Sequence, residues 1–426
     1  MAEMKDSGIE WCGKIPISWN VMPNKYVMHK KKEICPKYNG EDILSLTMDG
    51  VIVRDLDAGG KMPASFDGYQ RVHPRNLLMC LFDYDVTPRC IGLIQNEGLT
   101  SPAYSQFVMK NGNDARYYYY YYLMIDNTKE LLHLAKNLRH SFTEDQLGII
   151  NTPVPPVEIQ KKIAKYLDQK CEDIDAVYVE IEKQIETLEE YKKSIITEAV
   201  TKGLDPDVEM KDSGISYIGN IPKHWKVTNL KYLGKCQNGI SKGGEYFENG
   251  FPFVSYGDVY KNYSIPQNVD GLIMSTKTEQ NIYSVKYGDV FFTRTSETIE
   301  EIGFASTCLK SIDNSVFAGF LIRFRPTSSD LIPEFSKFYF RSNIHRKFFV
   351  KEMNLVTRAS LSQNLLGRLP VLLPPLCEQQ MIAINLEKKC AEIDGAIEEK
   401  KEQLETLEQY KKSLIYEYVT GKKEVK

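Results

Sequence analysis

Apolar residues return every three or four positions along one stretch of the chain: Ile163, Leu167, Cys171, Ile174, Tyr178, Ile181, Ile185, Leu188, Ile195 and Ala199, with Lys192 standing in the same series. Glu and Lys fill the other positions. Such a narrow apolar seam is the pattern of a coiled coil rather than of a core helix. Pro155-Pro156 bars an earlier start, so Lys162 to Thr201 predicts 40 residues of helix, roughly 60 Å at 1.5 Å rise per residue. A second series, Ile382, Leu386, Ile393, Ile397, Leu404, Leu407, Leu414 and Tyr418, keeps the alternation, with Lys389, Lys400 and Lys411 as polar intrusions. Each seam needs a partner of its own length, and each matches the other. Because a whole domain lies between them, an antiparallel pair with pseudo-twofold symmetry is the economical arrangement. Lys202-Gly203-Leu204-Asp205-Pro206-Asp207 reads as a helix stop followed by a linker.

The two seams belong to a longer repeat. Met4-Lys5-Asp6-Ser7-Gly8-Ile9 recurs as Met210-Lys211-Asp212-Ser213-Gly214-Ile215, an offset of 210 − 4 = 206. At that offset Gly13, Ile15, Pro16, Trp19, Val21, Lys25 and Tyr26 also return. Pro155-Pro156, Gln160 and Ile163-Ala164 match Pro374-Pro375, Gln379 and Ile382-Ala383 at 374 − 155 = 219, as do Glu186 to Glu189 and Tyr191 to Ser194 with Glu405 to Glu408 and Tyr410 to Ser413. The intervening stretches, near 28 to 150 and 234 to 367, look little alike, and the second is longer by 219 − 206 = 13 residues. A frame written twice does one symmetric job, and each insert does its own.

Within the first insert, Ile43 to Leu46, Val51 to Val53 and Leu77 to Leu81 predict short strands, and Arg116 to Asn137 a helix that opens on six tyrosines, Tyr117 to Tyr122. Consecutive tyrosines suit either base stacking or a buried element built from tyrosine bulk, and the second reading is the commoner one. In the second insert Phe253 to Ser255, Val290 to Phe292 and Gly319 to Ile322 predict strands, and Phe335 to Val350 one helix.

Composition narrows the function only by exclusion. A net charge of −3 and a pI near 6.2 give no general attraction to phosphate. Local charge differs: Lys337, Arg341, Arg346, Lys347, Lys351, Arg358 and Arg368 face one acid, Glu352, between Lys337 and Arg368, and the first insert carries Lys30-Lys31-Lys32, Arg71, His73 and Arg75. The amino terminus is too charged for a signal peptide, and Tyr117 to Ile125, the longest apolar run, is too short to cross a bilayer, so a cytoplasmic protein without membrane contact is expected. Nine cysteines show no Cys-x-x-Cys spacing and read as reduced interior residues. There is no phosphate-binding loop, no Gly-x-Gly cradle and no Asn-Pro-Pro-Tyr. Val154-Pro155-Pro156-Val157 lacks the Asn and the Tyr of that last motif, and Asp207 with Glu209 and Lys211 imitates a nuclease set inside a linker too short to fold around a metal.

Lys5-Asp6-Ser7-Gly8-Ile9-Glu10-Trp11 running to Ile15-Pro16 and Trp19, the Pro374-Pro375-Leu376-x-Glu378-Gln379-Gln380 entry to a long helix and the terminal Tyr-Lys-Lys-Ser stretch together resemble the specificity subunits of type I restriction-modification enzymes. Ser45-Leu46-Thr47, Gly50 to Asp55, Ser101-Pro102-Ala103-Tyr104, Tyr256-Gly257-Asp258-Val259 and Gly288 to Arg294 are similar to turns of that family's target-recognition domains. The pattern departs at Cys12, which replaces an aliphatic residue, and at Val157-Glu158-Ile159-Gln160, which loosens the proline-entry motif in the first copy.

The resemblance implies an α+β chain: recognition domain 1 (1–155), a long helix (156–203), recognition domain 2 (204–373) and a second long helix (374–426), with the helices forming an antiparallel, pseudo-twofold coiled coil. It implies no catalysis and no cofactor in this chain. Each domain reads one half of a split sequence in double-stranded DNA. The partners are two adenine-N6 methyltransferase subunits and the restriction (ATPase/nuclease) subunits, and S-adenosylmethionine, ATP and magnesium belong to those partners. Candidate DNA contacts are Lys30, Lys31, Arg71, Arg75, Arg89, Lys242, Arg294, Arg346, Lys347 and Arg358. The alternative is a coiled-coil scaffold whose inserts bind proteins and have no DNA specificity.

Overall fold

A computed structural model describes residues 3–58, 63–135, 140–296, 302–352 and 359–425. It forms two compact units, Met1–Glu182 with Lys401–Lys426, and Lys183–Lys400.

At the centre of the first unit is an antiparallel four-stranded sheet of β1 (Met28–Lys31), β2 (Leu77–Met79), β3 (Ile91–Leu93) and β4 (Ser105–Met109), in the order β1-β4-β2-β3. Leu77, Met79, Ile91 and Phe107 bury one face of it against helix α1 (Ala115–Thr128). The Asp114 side chain starts that helix by accepting from the N–H of Arg116 at 2.8 Å. The helix ends at Thr128, earlier than the tyrosine pattern predicts, because Lys129 turns to φ 53°; Asn137 lies outside the described residues.

Five of the six tyrosines are buried, so the tyrosine run builds core and does not stack on bases. Each buried hydroxyl is satisfied by a different segment of the unit. Tyr117 donates to Val419 O at 2.8 Å, Tyr118 to Pro153 O at 3.2 Å, Tyr120 to Asp168 at 3.0 Å and Tyr122 to Asn24 at 2.6 Å, while Tyr121 accepts from the Trp11 indole at 3.1 Å.

The first long helix, α2 (Val157–Lys202), has 46 residues, or about 69 Å of rise. It starts five residues before Lys162, directly behind Pro156, since a proline at a helix entry removes an N–H that has no intrahelical partner anyway. Gly203, at φ 79°, closes it with an N–H bond to Ala199 O at 3.1 Å.

The second unit repeats the sheet. Strands β5 (Gly234–Asn238), β6 (Val290–Thr293), β7 (Ala305–Thr307) and β8 (Leu321–Pro326) are antiparallel in the order β5-β8-β6-β7. First beside fourth, fourth beside second and second beside third is the connectivity of β1 to β4. Two inserts with little sequence in common therefore fold to one topology. The helix expected over Phe335 to Val350 is instead two, α3 (Pro333–Tyr339) and a separate helix over Ile344–Glu352. The break is held by Ser342 Oγ and His345 Nε2, which both bond the Tyr339 carbonyl, at 2.7 and 2.9 Å. The second long helix, α4 (Leu376–Val419), has 44 residues.

Both units contain a stretch of α2 packed on a stretch of α4. In the first, the Tyr166 and Tyr418 rings lie 4.5 Å apart and Lys411 Nζ reaches Asp175 at 2.5 and 2.7 Å. In the second, Lys400 meets Gln184 at 2.5 Å and Lys192 meets Asp394 at 2.7 and 2.6 Å. Rising numbers on one helix meet falling numbers on the other, so the pairing is antiparallel. Since 192 + 219 = 411 and 175 + 219 = 394, the two Lys–Asp pairs are one interaction written twice. The polar intrusions in the seam thus pin its register. Along α2, Tyr178, Ile185 and Leu188 of the seam are half-buried, whereas Ile174 and Ile181 are buried.

The frame strands keep one register in both copies. Met4–Asp6 pairs with Lys14–Pro16 as Met210–Asp212 does with Asn220–Pro222, and Asn20–Pro23 pairs with Asn151–Val154 as Lys226–Asn229 does with Pro370–Leu373. Among the described residues no helix is long and apolar enough to cross a membrane.

Candidate nucleic-acid interface

Each lobe is seated on its helix by a fully buried glutamine. Gln160 Oε1 accepts from the N–H of Asp114, the cap of α1, at 2.8 Å, and its amide donates to Pro155 O at 2.8 Å and to the Asn113 side chain at 2.9 Å. Gln379 Oε1 accepts from the N–H of Ile332, the cap of α3, at 3.0 Å, and its amide donates to Pro374 O at 2.9 Å and Asp330 O at 2.7 Å. A second tie follows at the same offset, 168 + 219 = 387. Asp168 receives Arg116 at 2.9 Å and Tyr120 at 3.0 Å, and Glu387 receives Lys337 at 2.5 Å.

The sequence candidates divide by what holds them. Arg75, at φ 65°, and Lys347 are exposed, and among the described residues neither side chain has a partner. Arg71 is enclosed by Glu41 at 2.8 Å, Glu97 at 3.6 Å and Glu33 at 3.8 Å. Hydrogen bonds from His73 and Lys31 hold the Glu33 carboxyl below the usual range. Lys31 lies 3.3 Å from Glu33, and Lys30 is paired with Glu144. Arg89 donates to the Tyr119 hydroxyl at 3.2 Å, Lys242 to Glu279 at 2.8 Å, and Arg294 to Gly319 O at 3.4 Å. Arg346 donates to Ile302 O between the Phe304 and Phe349 rings, where burial pushes its pKa down to about 10. Arg358 lies outside the described residues. The basic run of the second insert is therefore not one open patch. Lys337 is tied to Glu387, and Arg341 donates to Tyr260 O at 2.6 Å.

Sequence reasoning missed two strand pairs with exposed apolar residues. In the first lobe, Leu44–Thr47 pairs with Gly50–Val53, exposing Met48, Ile52 and Val53. In the second, the Phe247–Val254 and Leu272–Ile273 strands expose Phe251, Leu272 and Met274, with Lys277 5.9 Å from the Phe251 ring and Lys242 5.1 Å from that of Tyr246. The signal available was a bulky apolar residue on an outward-facing strand position, which cannot be read before the pairing and its register are known.

Two sheet lobes of one topology and different sequence, each latched by the same glutamine to one of two paired helices, define a duplicated recognition scaffold. The chain belongs to the type I restriction-modification DNA specificity family, whose domain model matches residues 93–189 and 222–406. It is 31% identical over 295 residues to the type I restriction enzyme MjaVIII specificity subunit of Methanocaldococcus jannaschii, covering 65% of this chain and 63% of that one. It is 26% identical over 254 residues to the EcoKI specificity subunit of Escherichia coli K12, covering 58% and 52%. The matched region thus spans less than two thirds of the length of these curated relatives. Among solved structures, a chain from "Structural basis underlying complex assembly and conformational transition of the type I R-M system" superposes with a TM-score of 0.71 at 13% identity, covering 95% of this chain and 98% of its own. The HsdS subunit from Thermoanaerobacter tengcongensis gives 0.51 at 13% identity, covering 96% and 98%. At that identity they show a shared fold.

Proposed function

We propose that this chain is the sequence-reading subunit of a type I restriction-modification complex. Each lobe reads one half of a split target in double-stranded DNA, and the helix pair fixes the gap. In this reading the chain has no catalytic site and no cofactor, and it acts in the cytoplasm. It directs adenine-N6 methylation or restriction by two methyltransferase subunits and by ATP-driven restriction subunits, which bring S-adenosylmethionine, ATP and magnesium. The observation that carries the reading is the frame repeated in the same register around two dissimilar inserts of one topology. Among the candidate contacts, the exposed Arg75 and Lys347 are suited to phosphate, and the exposed apolar residues of the two strand pairs to base edges such as the thymine methyl.

The test is to purify the chain with an adenine-N6 methyltransferase subunit encoded beside it and sequence the methylome of the treated DNA. Methylation confined to one split sequence is the expected result. Methylation without sequence preference, or DNA binding that does not weaken between low and moderate salt, refutes the reading and leaves a protein-binding scaffold.

A further inference from the structure

Strands β2 and β3 meet at a pair of cysteines. Their ladder runs Leu77 with Leu93, Leu78 with Gly92 and Met79 with Ile91, so Cys80 and Cys90 stand directly opposite each other at its end. The Cys80 N–H donates to Cys90 O at 2.8 Å, whereas the Cys90 N–H turns to Asp126 Oδ2 at 2.8 Å, and the ladder stops there. Opposed residues of an antiparallel pair lie about 4.5–5.5 Å apart at Cα, inside the range of roughly 4.4–6.8 Å that a disulfide spans. Both side chains are buried and both are free thiols. The second lobe closes the equivalent ladder without cysteine. Past Phe292 and Ala305 come Thr293 and Phe304, joined by the Thr293 N–H to Phe304 O at 2.9 Å and by the Phe304 N–H to Thr293 Oγ1 at 2.9 Å. The topology therefore does not require a thiol pair at this place.

The surroundings suit oxidation. Lys129 Nζ lies 3.5 Å from Cys90 Sγ, held there by Asp126 at 2.7 Å and Thr87 O at 2.8 Å. The contact between the two thiols lets the pair lose its first proton, from Cys80, below the usual cysteine value. Both residues line a cavity of about 20 Å³, together with Tyr84, Asp126 and Phe142, room for one molecule of about the size of water. The Tyr84 hydroxyl is buried and has no hydrogen-bond partner among the described residues. A small hydroxylic molecule in the cavity would supply one.

We propose that Cys80 and Cys90 are a peroxide-sensitive pair that closes to a reversible disulfide, a staple at the edge of the first sheet. The Cys80 thiolate attacks one oxygen of hydrogen peroxide, the O–O bond breaks, and the hydroxide that leaves takes up a proton to become water. Cys90, its thiolate favoured by the Lys129 ammonium, then attacks the sulfur of the Cys80 sulfenic acid. The S–S bond forms, the S–O bond breaks, and the second hydroxide leaves as water with the Cys90 proton. Two thiols lose two electrons in all, and one peroxide is reduced to two waters. A thiol reductant reverses the change by exchange, as in the transient disulfides of reducing compartments. In the closed form Phe82 O and Thr87 O lose the thiol donors they have at 3.2 and 3.6 Å, and the segment from Leu81 to Arg89 becomes a covalent loop. This site does not depend on what DNA the lobes read.

The full chain has nine cysteines, and alkylation in denaturant followed by peptide mapping reads each of them. After treatment of the folded chain with hydrogen peroxide, the peptides of Cys80 and Cys90 should appear joined and lighter by two hydrogens, and dithiothreitol should restore both thiols. The link should raise the urea midpoint of the full chain, because a closed loop restricts the unfolded state. Cys90→Ser should abolish both the link and the shift while leaving Cys80 open to dimedone, a sulfenic-acid reagent. Glutathione disulfide, too large for the cavity, should form the link about tenfold more slowly than peroxide. Both cysteines still alkylated after peroxide, or either carried to sulfinic acid without a link, overturns the proposal. An unchanged midpoint overturns the staple, and equal rates with glutathione disulfide overturn entry of the oxidant through the cavity. The wild-type mapping decides the matter even if C90S does not fold.

Discussion

Replacing Gln379 with leucine removes the latch of the second lobe while leaving its volume nearly filled. Its amide and carbonyl make three bonds, to Asp330 O, Pro374 O and Ile332 N, and the side chain is fully buried. Gln379→Leu strands two carbonyls and one N–H, and an unsatisfied buried group costs about 1–3 kcal/mol. Asp330 is exposed, so water relieves part of the loss. The expected destabilisation is about 3–5 kcal/mol, at the upper edge of what one substitution does. Gln160→Leu should cost less, about 2–3 kcal/mol, because one of its partners is the Asn113 side chain, which can turn to water. Urea unfolding followed through the indole signals of Trp225 and Trp19 gives both numbers. A loss below about 1 kcal/mol for Q379L, or a larger loss for Q160L, would refute the view that this glutamine seats the lobe.

Four further outcomes follow from the same contacts. Lys192→Asp should destabilise the helix pair by roughly 1 kcal/mol, with Asp394→Lys in the same chain restoring most of it; the coupling is small because Asp394 is 56% exposed. Burial lowers His345 to about 3 from 6.5. The unfolded chain then binds a proton that the folded one refuses, so stability falls as pH drops from about 6.5, by up to about 1.4 kcal/mol per pH unit, and a urea series at pH 7 and pH 5 should show this slope reduced in His345→Gln. Arg75→Ala and Lys347→Ala should each lower the slope of log K against log salt for DNA by about 0.9, and Arg71→Ala, already neutralised by carboxylates, by less. Adding one heptad to both long helices should lengthen the spacer between half-sites and leave the half-sites unchanged, as methylome sequencing would read it.

Periodicity made the helices, their pairing and the frame legible, because a seam at 3.5-residue spacing and a repeated motif are local signals. The lysines inside the seam were visible too, but their acids, Asp175 and Asp394, stand on the opposite helix and emerge only with the antiparallel register. The shared topology of the inserts was not legible. Three-residue strands such as Leu77–Met79 and Ala305–Thr307 carry almost no alternation, and their order is fixed by pairings across long stretches of chain. The break between Tyr339 and Ile344 was hidden for a related reason. It is made by side chains bonding one carbonyl inside a run that is helical by propensity. Among the candidate DNA contacts, charge in sequence identified basic residues but not their partners. In sequence Arg71, Arg346 and Arg75 are the same residue type, yet Arg71 lies among carboxylates and Arg346 between phenylalanines.

The latch also explains how one frame carries unlike lobes. Every hydrogen bond of the Gln379 side chain goes to backbone: an N–H at the cap of α3, the carbonyl of Asp330 two residues before it, and the carbonyl of Pro374 at its own helix entry. Such a grip reads no insert side chain. It asks only that a helix begin at that point in space and that the closing strands, Lys226–Asn229 with Pro370–Leu373, keep their register. The same demand is met in the first lobe by Asn20–Pro23 with Asn151–Val154 and by the N–H of Asp114. The difference of 219 − 206 = 13 residues between the inserts is therefore absorbed between the closing strands, and neither the seam nor its Lys–Asp pins have to adjust. An insert can change its sequence while the helix pair keeps its register.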